Sequence, residues 1–360
     1  MPTSPASFRR HFLPWEGPWL PQAAAWLAGG WAGPGPLDLS RVLAVVPTRQ
    51  AGRRLREALA EHAAARGTAV FPPRTHTPDT LLAEGAAAPD VASRLEALLA
   101  WAAVLREADL AALPDVFPFA PPRRDFTWAW RLAESFYRLQ TQLAEAGLGL
   151  ADVAPRAGDG FAEGERWRQL AGLEQGQIEK LRALGRREPH AARRAYARRS
   201  GPPEGVGRVV LLAAPDPLPL ALDVLRQWAA AIPVEIVIHA PAAEESAFDE
   251  AGRPLAEAWA ARELVRPAFE RRVHLCTDPA EEAGRLAALV RGYDQPDGLL
   301  AIGVADAEVL PPLENELSRA GIASYNPEGR GWRGAGLHTL LSALASLARD
   351  ATSGAVANLA

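Results

Sequence analysis

Arg41-Val42-Leu43-Ala44-Val45-Val46-Pro47-Thr48-Arg49-Gln50-Ala51-Gly52-Arg53-Arg54-Leu55-Arg56-Glu57-Ala58-Leu59 decides the fold. A short apolar run breaks at Pro47-Thr48-Arg49 and passes into a stretch with amphipathic helical spacing. This pattern predicts a buried parallel strand, a loop and a helix. Thr48 is the expected N-cap, and Arg49, Arg53, Arg54 and Arg56 place positive charge where an anion would approach a helix N-terminus. The same pattern also fits an ordinary βα unit with a solvated basic face.

At 360 residues, 48% hydrophobic and 23% charged, the chain is expected to fold into two or three compact domains. Its formal net charge of -4 argues against a generally basic coat, so a polyanion would have to meet a local, arginine-lined surface. Cys276 is the only cysteine, which excludes an intramolecular disulfide and a cysteine-rich metal site and fits a reducing, cytoplasmic setting. Arg9 and Arg10 precede a stretch, His11 to Leu27, that prolines and Glu16 interrupt, so neither a signal peptide nor a membrane span is expected. Lys180 is the only lysine among 39 basic residues. A phosphate loop needs a lysine directly after glycine, whereas Lys180 follows Glu179. A nuclease site ending in acid-x-lysine would need an acid at 178, where Ile178 stands.

Working outward, the first forty residues carry Trp15, Trp19, Trp26 and Trp31 and read as a packed lead-in with one helix over Leu20–Leu27. Ala69-Val70-Phe71 is a second strand candidate, and Thr77-Pro78-Asp79 caps a helix near Leu81. From Ala92 to Tyr196 the periodicity is helical throughout, over Ala92–Glu107, Phe126–Ala146 and Phe161–Leu184. Strands return at Gly207–Ala214 and Val234–His239, around a helix over Leu222–Ala231. A helical block between strand-rich regions reads as an insertion into one parallel sheet. Arg272–Cys276 and Leu300–Val304 are further strand candidates, with helices over Asp278–Arg291 and Glu308–Ala320. The expected architecture is α/β, with two P-loop-NTPase-like (RecA-like) parallel-sheet lobes. The first lobe comprises residues 1–90 and 206–268 and carries an all-helical insertion over 91–205. The second begins at 269 and is incomplete at 360, as in a fragment.

Several stretches together resemble a known family: Phe12-Leu13-Pro14-Trp15-Glu16-Gly17-Pro18, Val45-Val46-Pro47-Thr48-Arg49, Leu143-Ala144-Glu145-Ala146-Gly147-Leu148 and Phe248-Asp249-Glu250-Ala251-Gly252-Arg253-Pro254. To these add Asp278-Pro279-Ala280-Glu281-Glu282-Ala283, Ile302-Gly303-Val304 and Leu317-Ser318-Arg319-Ala320-Gly321-Ile322. In order and spacing they resemble the AddB-type subunits of bacterial helicase–nucleases. The resemblance implies a superfamily-one motor fold reused as a DNA-binding scaffold in double-strand-break repair and recombination. It also implies an AddA-type partner subunit and a magnesium-dependent PD-(D/E)XK nuclease domain beyond residue 360, which would make the whole protein an ATP-dependent exonuclease subunit. The implied phosphate contacts are Thr48 and Arg49. The chain departs from active motors in two places: it has no glycine-lysine phosphate loop, and the strand at Val209–Leu212 runs into Ala213-Ala214-Pro215-Asp216 instead of an acidic pair. No ATPase or nuclease chemistry, catalytic residue or cofactor is therefore expected within these 360 residues.

Arg193, Arg194, Arg198 and Arg199 form the densest basic run and, with Thr48, Arg49 and Arg53, complete the candidate contacts to single-stranded DNA or a duplex end. A solvated helix face explains the run as well. Trp128 and Trp130 follow Arg123-Arg124-Asp125 and could stack bases, but the helical spacing of Trp128 with Leu132 and Phe136 favours a core role. The seven histidines, His11, His62, His76, His190, His239, His274 and His338, do not pair at ligand spacing, so no metal is expected. A second reading is a non-enzymatic module whose helical block binds protein.

Overall fold

Val42 to Val45 is buried along its whole length, as a strand covered on both faces must be. The computed structural model describes residues 8–32, 35–83, 87–121, 123–158, 160–263, 268–294, 300–326, 329 and 336–349. Its strands are β1 (Arg9–Leu13), β2 (Leu37–Asp38), β3 (Val42–Val45), β4 (Val70–Phe71), β5 (Arg74–His76), β6 (Arg208–Leu212) and β7 (Val234–His239). Residues 1–262 and 263–360 form two compact units.

In the first unit five strands form one parallel sheet in the order β1-β7-β6-β3-β5. The register sets Leu43 beside Val209 and Arg10 beside Ile236. The helices are α1 (Trp19–Leu27), α2 (Arg49–Ala64), α3 (Pro78–Leu81), α4 (Arg94–Glu107), α5 (Phe126–Glu145), α6 (Val153–Ala157), α7 (Gly164–Ala183), α8 (Pro189–Ala197), α9 (Pro219–Trp228) and α10 (Ala256–Ala260). Side chains alternate across the sheet with the two-residue period of a strand. Val42, Ala44, Val46, Val210, Leu212 and Val237 meet α1 and α2. Leu43, Val45, Val209, Leu211, Ile236 and Ile238 meet α3, α9 and the end of α8.

Two parts of the sheet differ from the sequence reading. The expected strand at Ala69–Phe71 is β4, but it pairs with β2 in a separate two-stranded sheet. Pro72-Pro73 breaks the chain there, and the neighbour of β3 is β5. β1 lies within the stretch read only as a packed lead-in. As an edge strand, half-buried along most of its length, it tolerates Arg9, Arg10 and His11, and so lacks the apolar run of a central strand.

The helical block leaves the sheet after β5 and returns to pair β6 with β3, as an insertion requires. The start of the block is clasped to the segment between α7 and α8. Arg187 grips Asp90 with two charge-assisted hydrogen bonds of 2.6 and 2.8 Å, and Ala92 N donates to Arg187 O. Inside, α4 packs on α5 and α7 around Leu98, Trp101, Leu105, Ala129 and Leu173. Ser93 and Glu96 form a capping box at α4, and Asp125 caps α5. Trp101 Nε1 donates to Gln140 Oε1 and Gln140 Nε2 donates to Glu174 Oε1, both at 2.8 Å, a buried polar chain through three helices.

The second unit contains α11 (Phe269–Arg272), α12 (Pro279–Val290), α13 (Leu310–Arg319) and α14 (Gly336–Arg349). Asp278 caps α12 as expected, accepting from Glu281 N. The strands expected over Arg272–Cys276 and Leu300–Val304 are absent, and no strand occurs among its described residues. Leu300, Ile302 and Val304 do alternate inward, but they pack on the α12–α13 pair without a neighbouring strand, and Leu275 is exposed. Strand-like alternation without a ladder partner leaves extended chain rather than a sheet.

Candidate nucleic-acid interface

Open parallel sheets present their loops at the carboxyl ends of the strands, and a crevice opens there between α1 and α2. It encloses about 300 Å³. Val46, Leu212 and Ala213 form its floor, Trp19, Leu20 and Leu55 its walls, and Gln50 and Arg54 its polar rim.

Thr48 stands where β3 gives way to α2. Its backbone is extended, and its Oγ1 accepts the N–H of Ala51 at 3.0 Å, making it the N-cap. Because the oxygen accepts within the protein, the hydroxyl proton is left to donate outward. Arg49 and Arg53, one helical turn apart, are both exposed, and among the described residues neither has an ion pair or hydrogen bond. The other two arginines of the run have partners. Arg54 reaches Glu57 at 3.2 Å, and Arg56 Nε donates to Gly52 O. Thr48, Arg49 and Arg53 therefore present one donor hydroxyl and two cations around the positive end of a sixteen-residue helix.

Across the crevice floor, Ala213 follows β6 with φ +44°, one of two non-glycine residues with positive φ among the described residues. Its N–H donates to Val237 O at 2.9 Å, which holds the chain in that conformation. Left-handed alanine costs roughly 1–2 kcal/mol. Asp216, three residues on, is exposed. Among the described residues, no group of three or more His, Cys, Asp and Glu side chains is placed to hold a metal ion.

The second basic run is split by the fold. Arg194 is half-buried, donates from Nη1 to Leu148 O at 2.8 Å and packs on Gly149, so it ties α8 to the end of α5. Arg193 is half-buried on the same helix, whereas Arg198 and Arg199 are exposed in the turn that closes α8. That turn follows Ala197, which packs on the α9 face of the sheet, whereas α2 covers the opposite face. The two arginine groups are thus not brought together. Trp128 lies against the helical core beside Phe117, and Trp130 leans on Phe126 with ring centroids 5.7 Å apart.

Sequence reasoning missed Trp19 and Ala213 as parts of the crevice. The cluster of tryptophans was the available signal for the first; nothing in an Ala-Ala-Pro sequence announces a left-handed alanine. Among the described residues, no helix is long and apolar enough to cross a membrane. No protein-family model and no curated protein matches the sequence.

Proposed function

We propose that this chain is a catalytically inactive, helicase-like scaffold of the AddB type that holds DNA for a partner motor subunit during double-strand-break repair. The observation that carries this reading is the junction of β3 and α2, where the capping hydroxyl of Thr48 and the exposed Arg49 and Arg53 lie at a helix N-terminus on the carboxyl edge of a parallel sheet. Phosphates are bound at such edges by backbone N–H groups, hydroxyls and arginines. A helical insertion within the sheet is in keeping with the motor architecture. The strand–loop–helix unit at β1 and α1 carries Pro14-Trp15-Glu16-Gly17-Pro18, with a carboxylate and no lysine to reach a terminal phosphate. On this reading the second unit belongs to a second RecA-like lobe, and cleavage, with its magnesium, belongs to a nuclease domain beyond residue 360.

The test is fluorescence anisotropy with labelled single-stranded (dT)20 and a forked duplex between 50 and 200 mM salt. The wild type binds with strong salt dependence, and the double variant Arg49→Glu/Arg53→Glu lowers affinity and reduces the slope of log K against log salt by about 1–2. Equal affinity and slope in the variant would sink the proposal. A protein-docking role for the helical block has one observation in its favour: Leu95 and Leu99, one turn apart on α4, are 58% and 45% exposed. DNA binding absent at every salt concentration would shift the balance to that reading.

A further inference from the structure

Beyond the DNA-binding reading, and independent of it, the carboxyl edge of β1 and β7 carries a row of four aromatic rings. Phe12 meets Phe248 at 6.1 Å between centroids, Phe248 meets Trp259 at 5.8 Å, and Trp259 meets Trp15 at 6.5 Å. Two of these rings already hold a guanidinium clamped by a glutamate. Arg10 lies 5.7 Å from the Phe12 centroid and bonds Glu245 at 2.7 Å. Arg262 lies 4.4 Å over Trp259 and is bonded to Glu244. Trp15 ends the row. It is 49% exposed, and its indole N–H is pinned to His239 O at 2.7 Å, which fixes the orientation of the ring. Among the described residues, no cation lies over Trp15 and no ion pair engages Glu16, the exposed carboxylate next to it. Trp15 is therefore an exposed ring with no guanidinium over it, followed in sequence by a carboxylate without an ion-pair partner.

We propose that Trp15 and Glu16 form a receptor for the arginine side chain of a basic peptide segment on a partner protein, repeating the arrangement that Arg262 makes with Trp259 and Glu244. The chemistry is the attraction of a guanidinium to an indole face, strengthened by a carboxylate. Charge favours a basic occupant over a nucleic acid, since Arg10 and Arg262 are each paired with a glutamate and Glu16 carries the charge left unpaired beside Trp15 in sequence. A phosphate backbone would be repelled there, whereas a basic segment is attracted.

The test titrates the 360-residue protein into Gly-Arg-Gly-Arg-Gly-Arg-Gly-amide carrying fluorescein on its N-terminal amine and follows anisotropy. A second peptide carries citrulline, the uncharged isostere, at each arginine position. The arginine peptide binds, and the citrulline peptide binds several-fold more weakly. Trp15→Ala weakens arginine-peptide binding roughly two- to fivefold, and Trp15→Phe keeps most of it. Glu16→Gln, a surface change that leaves the ring row in place, weakens it about twofold. Circular dichroism of each variant confirms that it is folded. Equal binding of both peptides, or undiminished binding by both Trp15→Ala and Glu16→Gln, overturns the proposal. So does loss of (dT)20 binding in Trp15→Ala with peptide binding intact, because that result assigns the ring to base stacking.

Discussion

Gly252→Ala tests how the turn Phe248–Pro254 is seated on the sheet. Gly252 has φ +78°, and a Cβ there would stand 2.8 Å from Ile236 Cγ2 and 3.0 Å from Ile238 Cγ1, both on β7. These isoleucines are buried, and the turn is held from the other side. Asp249 accepts from the N–H groups of Ala251 and Arg253 and from Arg253 Nε, at 2.9, 2.8 and 2.7 Å. Neither partner can retreat freely. Left-handed alanine costs roughly 1–2 kcal/mol and the overpacking about 1–3 kcal/mol. Alanine recovers roughly 0.4–1 kcal/mol by restricting the unfolded chain, for a net loss of about 3 kcal/mol. Gly67→Ala is the matched control. Gly67 has φ +70° with nothing within 4 Å of the built Cβ, so it isolates the backbone part at about 1 kcal/mol or less. Urea unfolding followed by tryptophan fluorescence reads both. The Gly252 variant should lower the midpoint by about 1 M for a slope near 3 kcal/mol/M, and the control by a third of that or less. Equal shifts in the two variants would refute the steric argument.

Other outcomes follow from the same geometry. Ala213→Gly relieves the left-handed strain at the crevice floor and should raise stability by up to about 1 kcal/mol, seen as a higher urea midpoint; a lower midpoint would contradict it. Thr48→Ala removes the cap of α2 and should cost about 1 kcal/mol, whereas Thr48→Asn should restore most of it. Gln140→Leu strands the N–H of Trp101 and a carboxylate oxygen of Glu174 in the helical core and should cost roughly 2–3 kcal/mol, measured as a lower melting temperature of the block's helical signal. Burial, reinforced by Arg193 and Arg194, pushes the His190 imidazole down to about 3. The unfolded chain then binds a proton near pH 6.5 that the folded chain refuses. This contribution is complete above pH 6.5 and is lost on acidification toward pH 3, by at most about 1.4 kcal/mol per pH unit. Glu188 acts in the opposite sense, because burial raises its carboxyl despite hydrogen bonds from His190 N and Ala191 N. Comparing wild type with His190→Phe at pH 7, 6 and 5 cancels the Glu188 part, and parallel curves would rule out the histidine contribution.

The elements legible in the sequence were those whose burial is written into local periodicity. β3, β6 and β7 are apolar runs, and α4, α5 and α7 carry apolar residues at helical spacing; each was placed to within a few residues. Thr48 as an N-cap was readable for the same local reason. What stayed hidden depends on distant partners. Arg9–Leu13 becomes a strand only because β7 lies beside it, and Leu300–Val304 has no strand beside it among the described residues. Likewise, the run Arg193–Arg199 shows four cations in sequence, but the end of α5 takes Arg194 for a carbonyl and only Arg198 and Arg199 remain exposed. The stretch Phe248–Pro254 stands out in the sequence as a motif, and its constraint is mechanical, a glycine pressed on two isoleucines.

The order of strands in the sheet also governs how the protein is made. β1 leaves the ribosome first, yet its partner β7 follows roughly two hundred residues later, and β3 must wait nearly as long for β6. At translation rates of about 5–20 residues per second, β1 remains without β7 for roughly 10–45 s, and β3, which meets β5 early, remains without β6 on its other edge for roughly 8–33 s. During that interval the β6-facing edge of Val42–Val45 is open to association with other nascent chains, while the helical block, whose contacts are more local, can fold on its own. Slowing synthesis across residues 94–197 would therefore lengthen the hazard, and a chaperone that shields short apolar segments should raise the yield of this chain more than that of a protein built from neighbouring hairpins.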